Sequence, residues 1–270
     1  MTGPTTQTSP LTRAIDAQLA RLAALPPGPG RLEAQLRQLA KWRSIVLANT
    51  LARRGGGRVA HGPFVGMLYP VAAAEGGRAP RLLGLYEASL HPVIETVIAR
   101  AYARVIDIGA AEGYYAVGLA RRMSGSLIHA RDTSPAARDL CGQLARANGV
   151  EDRLRIGGEV THADLALCAE GPTFVLCDIE GAEAELLDPA RAPALAEADL
   201  LVEVHEGMRP GLLALLTDRF GGTHRITRID RSLRPDLLPD WTEALSDLDR
   251  LLLLWEWRAT PTPWLWMERR

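Results

Sequence analysis

Short apolar runs alternate with longer segments of helical apolar spacing through the second half of the chain. Five runs have the length of buried strands: residues 105–108, 126–130, 154–156, 173–177 and 200–204. Helical spacing of apolar residues follows them at residues 115–123, 134–148, 163–168, 182–187 and 211–220. Because the two patterns alternate regularly, they predict right-handed βαβ units and a mostly parallel sheet covered by helices on both faces.

The C-terminal part of the chain departs from this alternation. Two further strand-like segments, at residues 223–229 and 264–267, flank an amphipathic stretch at residues 241–257. Strands joined by a helix or by a long connection fit an antiparallel pair at the edge of a sheet. The pattern therefore predicts an α/β fold with a doubly wound, mostly parallel seven-stranded sheet and an antiparallel C-terminal edge.

The N-terminal part predicts helices before the sheet begins. Residues 1–10 are rich in Thr and Pro and are expected to form a flexible tail. Helical spacing at residues 11–25 and 31–53 is interrupted by Pro26-Pro27-Gly28-Pro29-Gly30, which no helix can cross. We therefore divide the chain into this tail, a helical N-terminal appendage over residues 11–80, and the sheet domain over residues 81–270.

The overall composition limits the classes of partner. The 270 residues include 47% hydrophobic and 23% charged residues, with a net charge of −1. This balance gives no reason to expect nucleic-acid or membrane binding. The three cysteines lack the C-x-x-C spacing of zinc or redox sites, and residues 1–10 show no signal peptide. We expect a soluble cytoplasmic protein with reduced thiols.

The first buried strand ends in a turn of small residues that predicts a ligand site. Asp107 closes the apolar run, and Gly109-Ala110-Ala111-Glu112-Gly113 leads into a helix that begins near Tyr114. Glycine lets the backbone turn sharply and approach a ligand, and the start of the helix offers unpaired N–H groups. Asp107 can hold a hydroxyl or an ammonium group but would repel a phosphate. These residues favour a nucleoside that carries an amino-acid tail.

A second acid follows the next strand. Asp132 lies about twenty residues beyond the glycine turn, where an acid can bind both hydroxyls of a ribose. Alternatively, Asp132 caps the helix that follows, although Thr133 or Ser134 could cap it instead.

Acids also gather after the fourth strand, in Asp178-Ile179-Glu180-Gly181-Ala182-Glu183. Open parallel sheets bind ligands at this edge. Favourable interaction with the positive end of a helix would account for Glu180 and Glu183. It accounts less well for Asp178, which directly follows an apolar strand.

The tip of the fifth strand carries Glu203 and His205 on one face. Neighbouring strand tips lie about 5 Å apart, so Asp178 could converge with both residues. Two kinds of chemistry fit. His205, oriented by a carboxylate, could act as a general base, or Asp178, Glu203 and His205 could bind a divalent metal ion.

Residues upstream of the first strand could close the same edge. Tyr86, Glu87 and His91 come shortly before the first strand of the predicted sheet. Glu87 could cover the ligand from the N-terminal side, or it could cap the helix that follows.

Together these residues resemble the class I S-adenosylmethionine-dependent methyltransferases, which have a Rossmann-like fold. The similarity is closest to the FkbM-type family, which typically pairs Asp-x-Gly-Ala-x-x-Gly with Asp-[Val/Ile]-Glu-Gly-x-Glu. Here these motifs are residues 107–113 and 178–183. The resemblance covers roughly residues 83–267, and the second motif is the more specific.

The resemblance implies a role for each motif. The turn from Gly109 to Gly113 would pass under the methionine moiety and the ribose, and Asp132 would bind the ribose. Gly158 and Glu159 would lie near adenine, and Asp178 would lie next to the transferred methyl group. One departure is that His129 and Arg131 stand where the family usually has apolar or aromatic residues.

The resemblance implies in-line transfer of a methyl group, and we expect a hydroxyl of a small molecule or sugar-like metabolite to accept it. The catalytic candidates are Asp178, Glu180, Glu203 and His205. The cofactor candidates are Glu87, Asp107, Gly109, Ala110, Ala111, Gly113, Tyr114, Asp132, Gly158, Glu159 and Asp178.

Three alternatives concern other functions or partners. A nicotinamide-dependent oxidoreductase would use a similar strand and ribose acid, but Ala111 replaces the middle glycine of its motif. An RNA- or protein-binding module would use the basic N-terminal helices. The same helices could form a homodimer through Leu32, Leu36, Leu39 and residues 45–47.

Overall fold

One seven-stranded sheet forms the centre of the computed structural model, which describes residues 9–258, 260 and 262–270. The strands are β1 (Arg104–Ile108), β2 (Leu127–Arg131), β3 (Leu154–Gly157), β4 (Thr173–Cys177), β5 (Asp199–Glu203), β6 (His224–Ile229) and β7 (Trp264–Arg269). Their order is β3-β2-β1-β4-β5-β7-β6. The first five are parallel, and β7 is antiparallel to both β5 and β6. This confirms the predicted fold class.

Helices flank the sheet and precede it. The α-helices in the described residues are α1 (Pro10–Ala23), α2 (Pro29–Arg54), α3 (Arg78–Leu83), α4 (His91–Arg100), α5 (Tyr114–Arg122), α6 (Pro135–Ala147), α7 (Glu183–Leu186), α8 (Leu212–Phe220) and α9 (Asp247–Leu254). Short 3-10 helices lie at Ala88–Leu90, Glu151–Arg153, Asp164–Glu170, Pro193–Glu197, Pro235–Leu237 and Asp240–Ala244. None of the described helices is long and apolar enough to span a membrane.

Two predicted segments differ from the structure in their detail. The helical segment predicted at residues 163–168 is a 3-10 helix. The amphipathic stretch predicted at residues 241–257 is divided, because the Ser246 side chain accepts a hydrogen bond from the Asp249 N–H and starts α9 as a separate helix. Residues 1–8 of the predicted tail lie outside the described residues.

Alternating side chains of the sheet enter two apolar layers. Val105 lies in the layer formed with α2, α4 and α5, whereas Ile106 and Ile108 lie in the opposite layer with α8. Leu47 of α2 is 3% exposed and shares the first layer with Val105. Part of the predicted N-terminal appendage therefore packs into the same core as the sheet. Asp107 alternates with Ile106 and Ile108, so its carboxylate faces the first layer.

Candidate functional site

The glycine turn after β1 is held against the ends of two neighbouring strands. The N–H groups of Gly109 and Ala110 both donate to the Arg131 carbonyl, at 2.8 and 3.0 Å. Gly109 has φ of +83°, and a Cβ atom there would lie 1.8 Å from the Asp178 carbonyl oxygen. Only glycine can therefore bring this turn so close to the end of β4.

Asp132 joins the end of β2 to the same turn. Its Oδ2 accepts from the Ala111 N–H at 2.9 Å, and its Oδ1 accepts from the Ser134 N–H at 2.7 Å. Ser134 is the residue that caps α6, because its hydroxyl accepts from the Ala137 N–H. The capping alternative for Asp132 is therefore wrong, and its carboxylate remains at the edge where the strands end.

A cavity of about 640 Å³ runs along the C-terminal ends of β1 to β4. Seven of the residues predicted from the sequence line it: Gly109, Ala111, Asp132, Gly158, Glu159, Asp178 and Glu180. Glu180 is exposed, with φ of +53°. The sequence motifs therefore lie at the same edge of the sheet as a cavity that is large enough for a ligand.

A second cavity, of about 40 Å³, lies beside the first and contains three more predicted residues, Asp107, Ala110 and Tyr114. Asp107 is 1% exposed, and its carboxylate makes no hydrogen bond or ion pair with another side chain. Burial raises the pKa of Asp107 to about 7. The Ala116 N–H lowers this pKa, but by less than burial raises it. An acid buried without a partner is costly in the free protein.

Two predicted cofactor residues line neither of these cavities. Gly113 has φ of +89°, and a Cβ atom there would lie 2.6 Å from Cys141 Sγ, so this glycine allows α5 to pack closely against α6. Glu87 is 3% exposed and makes no side-chain cap for the 3-10 helix that follows, contrary to one of the two expectations. Its carboxylate instead accepts from the Tyr115 hydroxyl at 2.5 Å and pairs with Arg258.

His205 is held by a carboxylate that lies outside the predicted set. Its Nδ1 lies 2.9 Å from Glu183 Oε1, and Glu183 has no exposed surface. Glu183 also accepts from the N–H groups of Ile179 and Gly181, at 3.1 and 2.8 Å. When Nδ1 donates to Glu183, the second ring nitrogen, Nε2, is directed towards the rest of the acidic cluster.

The free nitrogen of His205 faces two acids. Nε2 lies 3.5 Å from Asp178 Oδ1 and 3.7 Å from Glu203 Oε2. Burial lowers the pKa of His205, but the hydrogen bond with Glu183 and the charge of Glu203 raise it overall. Burial also raises the pKa of Asp178 well above its ordinary value, together with the charges of Glu203 and Glu87. The three residues predicted to converge therefore do so.

Arg258 neutralises part of this acidic cluster. Its guanidinium pairs with Glu203 and Glu87, and its Nε lies 3.0 Å from Glu256 Oε2. Arg258 belongs to none of the motifs recognised in the sequence. It reaches the site from the connection between α9 and β7. Glu183 is the last residue of the second motif, where a favourable interaction with the start of a helix is enough to account for an acid.

The donor set at the end of β5 has the composition of a divalent metal site. One ligand atom from each of Asp178, Glu203 and His205 lies within 4.8 Å of the others. The Arg258 guanidinium on Glu203 opposes a second cation at this place. The ligand types and their spacing therefore suit a divalent metal ion. The positive charge of Arg258 beside Glu203 makes the site less suitable.

Comparison with known proteins gives structural similarity at low sequence identity. No family model and no curated protein matches the chain. The O-methyltransferase TomG from Streptomyces achromogenes, involved in tomaymycin synthesis and solved with S-adenosylmethionine, is 11% identical over 97% of this chain and 100% of that one, with a TM-score of 0.45.

Two other solved structures show the same level of similarity. The O-methyltransferase from Bacillus cereus, solved with S-adenosylhomocysteine, is 12% identical over 95% of this chain and 97% of that one, with a TM-score of 0.46. The methyltransferase domain of METTL16 is 15% identical over 87% of this chain and 79% of that one, with a TM-score of 0.48. Independently of these scores, the strand order with an antiparallel β7 is that of a doubly wound, Rossmann-like sheet.

Proposed function

We propose that the protein is an S-adenosylmethionine-dependent methyltransferase that methylates a hydroxyl group of a small molecule, such as a sugar-like metabolite. One observation carries the proposal. A single cavity extends from the glycine turn at Gly109, past Asp132, to Asp178, and Asp178 lies beside the free nitrogen of His205. A ligand site and a general base therefore meet at one residue.

The charges of the cavity favour this cofactor over a dinucleotide. Asp132 and Glu159 offer acceptors for a ribose and an adenine, and Asp107 offers a carboxylate without a cation. Arg131 and Arg191 also line the large cavity, but the acids of its lining outnumber them. The net negative charge would stabilise an ammonium or a sulfonium group and disfavour a pyrophosphate. This favours a methyltransferase over the nicotinamide-dependent oxidoreductase.

The arrangement of His205 supports a role as general base. When bound, S-adenosylmethionine supplies an already activated methyl group, so the protein mainly aligns the acceptor and removes its proton. His205 Nε2 takes that proton, while Glu183 holds the ring through Nδ1 and stabilises the imidazolium that forms. Asp178, which contacts both the cavity and His205, orients the acceptor between them.

A divalent metal ion is the second candidate for activating the hydroxyl. It is favoured by the spacing of Asp178, Glu203 and His205, and opposed by the pairing of Glu203 with Arg258. Exhaustive dialysis against EDTA separates the two roles. Retained turnover supports His205 as the base. Loss that is restored by Mg²⁺ or Mn²⁺, but not by Ca²⁺ or Na⁺, supports the metal.

The test is transfer of tritium from [methyl-³H]S-adenosylmethionine to a panel of hydroxylated metabolites. Wild-type protein is expected to label at least one acceptor, and His205→Ala to lower turnover by about 100-fold or more while S-adenosylhomocysteine still binds. His129→Ala is the matched control, because that histidine lies on β2 and lines neither cavity. Equal turnover of His205→Ala and wild type would contradict the assignment.

Location and self-association complete the proposal. The described cysteines, Cys141, Cys168 and Cys177, are buried and free, which supports a cytoplasmic protein.

Leu36 of α2 is 69% exposed and is available to a second copy, whereas Leu47 is buried in its own core. Light scattering of wild type and Leu36→Glu would show whether two copies associate.

A further inference from the structure

The guanidinium of Arg258 contacts three buried acids. Its Nη1 pairs with Glu203 at the end of β5, its Nη2 pairs with Glu87 before α4, and its Nε lies 3.0 Å from Glu256 Oε2. Each of these acids is at most 3% exposed, so each carboxylate is costly without a cation. Arg231 also pairs with Glu256, at 2.9 Å. Glu203 and Glu87 pair with no second arginine or lysine in the part of the chain that the structure describes, and therefore depend on Arg258.

The backbone before β7 directs Arg258 into the acidic cluster. Trp257, the residue before it, has φ of +68°, which is an uncommon and costly conformation for a bulky side chain. The indole Nε1 of Trp257 donates to Ser44 Oγ at 3.4 Å, and Lys41 Nζ lies 4.9 Å from the centroid of its ring. On the other side, Thr262 Oγ1 accepts from Arg258 Nη1 at 2.5 Å. Contacts on both sides therefore fix Arg258 at the acids.

The same guanidinium adjoins the donor set that suits a divalent metal ion. The two oxygens of Glu203 have different neighbours, because Oε1 pairs with Arg258 and Oε2 lies 3.7 Å from His205 Nε2. Asp178 supplies the third donor, and one ligand atom from each of the three residues lies within 4.8 Å of the others. A divalent ion at these donors would share one carboxylate with the guanidinium. In a site with little access to water, the two positive charges would repel each other strongly.

We propose that Arg258 is a resident cation that takes the place of a divalent metal ion, so that Asp178, Glu203 and His205 bind no metal in the wild-type protein. Arginine suits this role because its planar guanidinium keeps its charge and offers five N–H donors to several carboxylates at once. The metal-binding statement does not depend on the proposed function, since it concerns only the protein and a metal ion. Its consequence for the reaction does rest on that function, and it is that His205 takes the acceptor proton without a metal ion.

The test is titration of the full-length protein with Mn²⁺ alone, followed by isothermal titration calorimetry. Wild type is expected to show no saturable binding tighter than about 1 mM. Arg258→Met removes the charge and should bind one Mn²⁺ per chain at least about 100-fold more tightly than wild type. Co²⁺ should give a visible absorption band with the variant and none with wild type. Mn²⁺ should also raise the melting temperature of the variant alone.

Two control variants show where the ion binds. Arg43→Met also removes a guanidinium from a carboxylate, because Arg43 Nη2 lies 2.6 Å from Asp249 Oδ2. Among the described residues, Asp249 belongs to no group of three metal-type donors, so this variant should gain no Mn²⁺ binding. His205→Ala combined with Arg258→Met should lose the binding that Arg258→Met gains.

Two results would overturn the inference. One is saturable Mn²⁺ binding by wild type that His205→Ala abolishes, and the other is a folded Arg258→Met that binds no Mn²⁺. Circular dichroism checks the fold, and Arg258→Gln, which keeps a polar group beside the acids, replaces Arg258→Met if that variant does not fold. Failure of the proposed function is a separate result, because wild type would then bind no S-adenosylhomocysteine whatever its response to Mn²⁺.

Discussion

Replacement of Asp107 by Asn should stabilise the free protein and weaken its binding of the ligand. The folded-state pKa of Asp107, about 7, lies about three above the ordinary value of 3.8. Each pKa unit corresponds to about 1.4 kcal/mol, so the ionised carboxylate costs the folded state about 4 kcal/mol above pH 7. Asn has a similar shape and carries no charge, so the variant avoids this cost.

The pH dependence of this effect has a definite sign. Below about pH 3 the carboxyl group is largely protonated in both the folded and the unfolded chain, because its ordinary pKa is 3.8, and the cost vanishes. As the pH rises from 4 to 7, the unfolded chain loses its proton first, so wild type loses stability relative to Asp107→Asn. The difference in free energy of unfolding should be about 4 kcal/mol at pH 8 and about 2 kcal/mol at pH 5.

Urea unfolding, followed by circular dichroism at the two pH values, measures this difference directly. The same variant should bind S-adenosylhomocysteine about 10- to 100-fold more weakly at pH 8, because the charged partner of the ammonium group is lost. Equal stability of Asp107→Asn and wild type at both pH values would refute the claim that the carboxylate is buried without a partner. Unchanged affinity would refute its role in binding.

Three further predictions concern neighbouring residues. Gly109→Val should abolish binding of S-adenosylhomocysteine in calorimetry, because a Cβ atom would lie 1.8 Å from the Asp178 carbonyl oxygen; retained affinity would contradict the close approach. Glu183→Gln should lower turnover about 10-fold or more with binding retained, because the ring of His205 loses its charged partner; a specific loss of binding would contradict this assignment. Arg258→Met should lower the free energy of unfolding at pH 8 by about 3–5 kcal/mol in urea titration, since buried acids lose their cation; no loss would mean that these acids are protonated.

The sequence predicts the sheet well because the signals for its elements are local. The strands β1, β4 and β5 are almost fully buried, and each contains a run of apolar residues that can be recognised without knowing its neighbours. The same holds for Asp107, Asp132 and Asp178, which directly follow or end these runs and therefore lie at one edge. Strand order, in contrast, is not contained in any single run, because it depends on how the βαβ units connect.

The parts that sequence reasoning missed depend on contacts between distant segments. Arg258 meets Glu87 and Glu203 only because the connection before β7 folds back over the end of β5. The buried pair of Arg81 and Glu112, 2.9 Å apart, fixes the backbone before α3, and this role cannot be recognised from either residue alone.

Gly113 shows how one local signal can have two explanations. A glycine after a strand can allow a ligand to approach or allow a helix to pack. Here the neighbour is Cys141 of α6, and the space that a side chain would fill belongs to the packing of two helices. The neighbouring Gly109 has the same backbone freedom but faces Asp178 at the edge of the cavity.

The most direct test of the central claim is calorimetric titration of the full-length wild-type protein with S-adenosylhomocysteine, with NADH as the competing ligand. The account predicts saturable binding of one S-adenosylhomocysteine per chain, lost in Gly109→Val, and no binding of NADH. Absence of S-adenosylhomocysteine binding, or tighter binding of NADH at the same site, would contradict it.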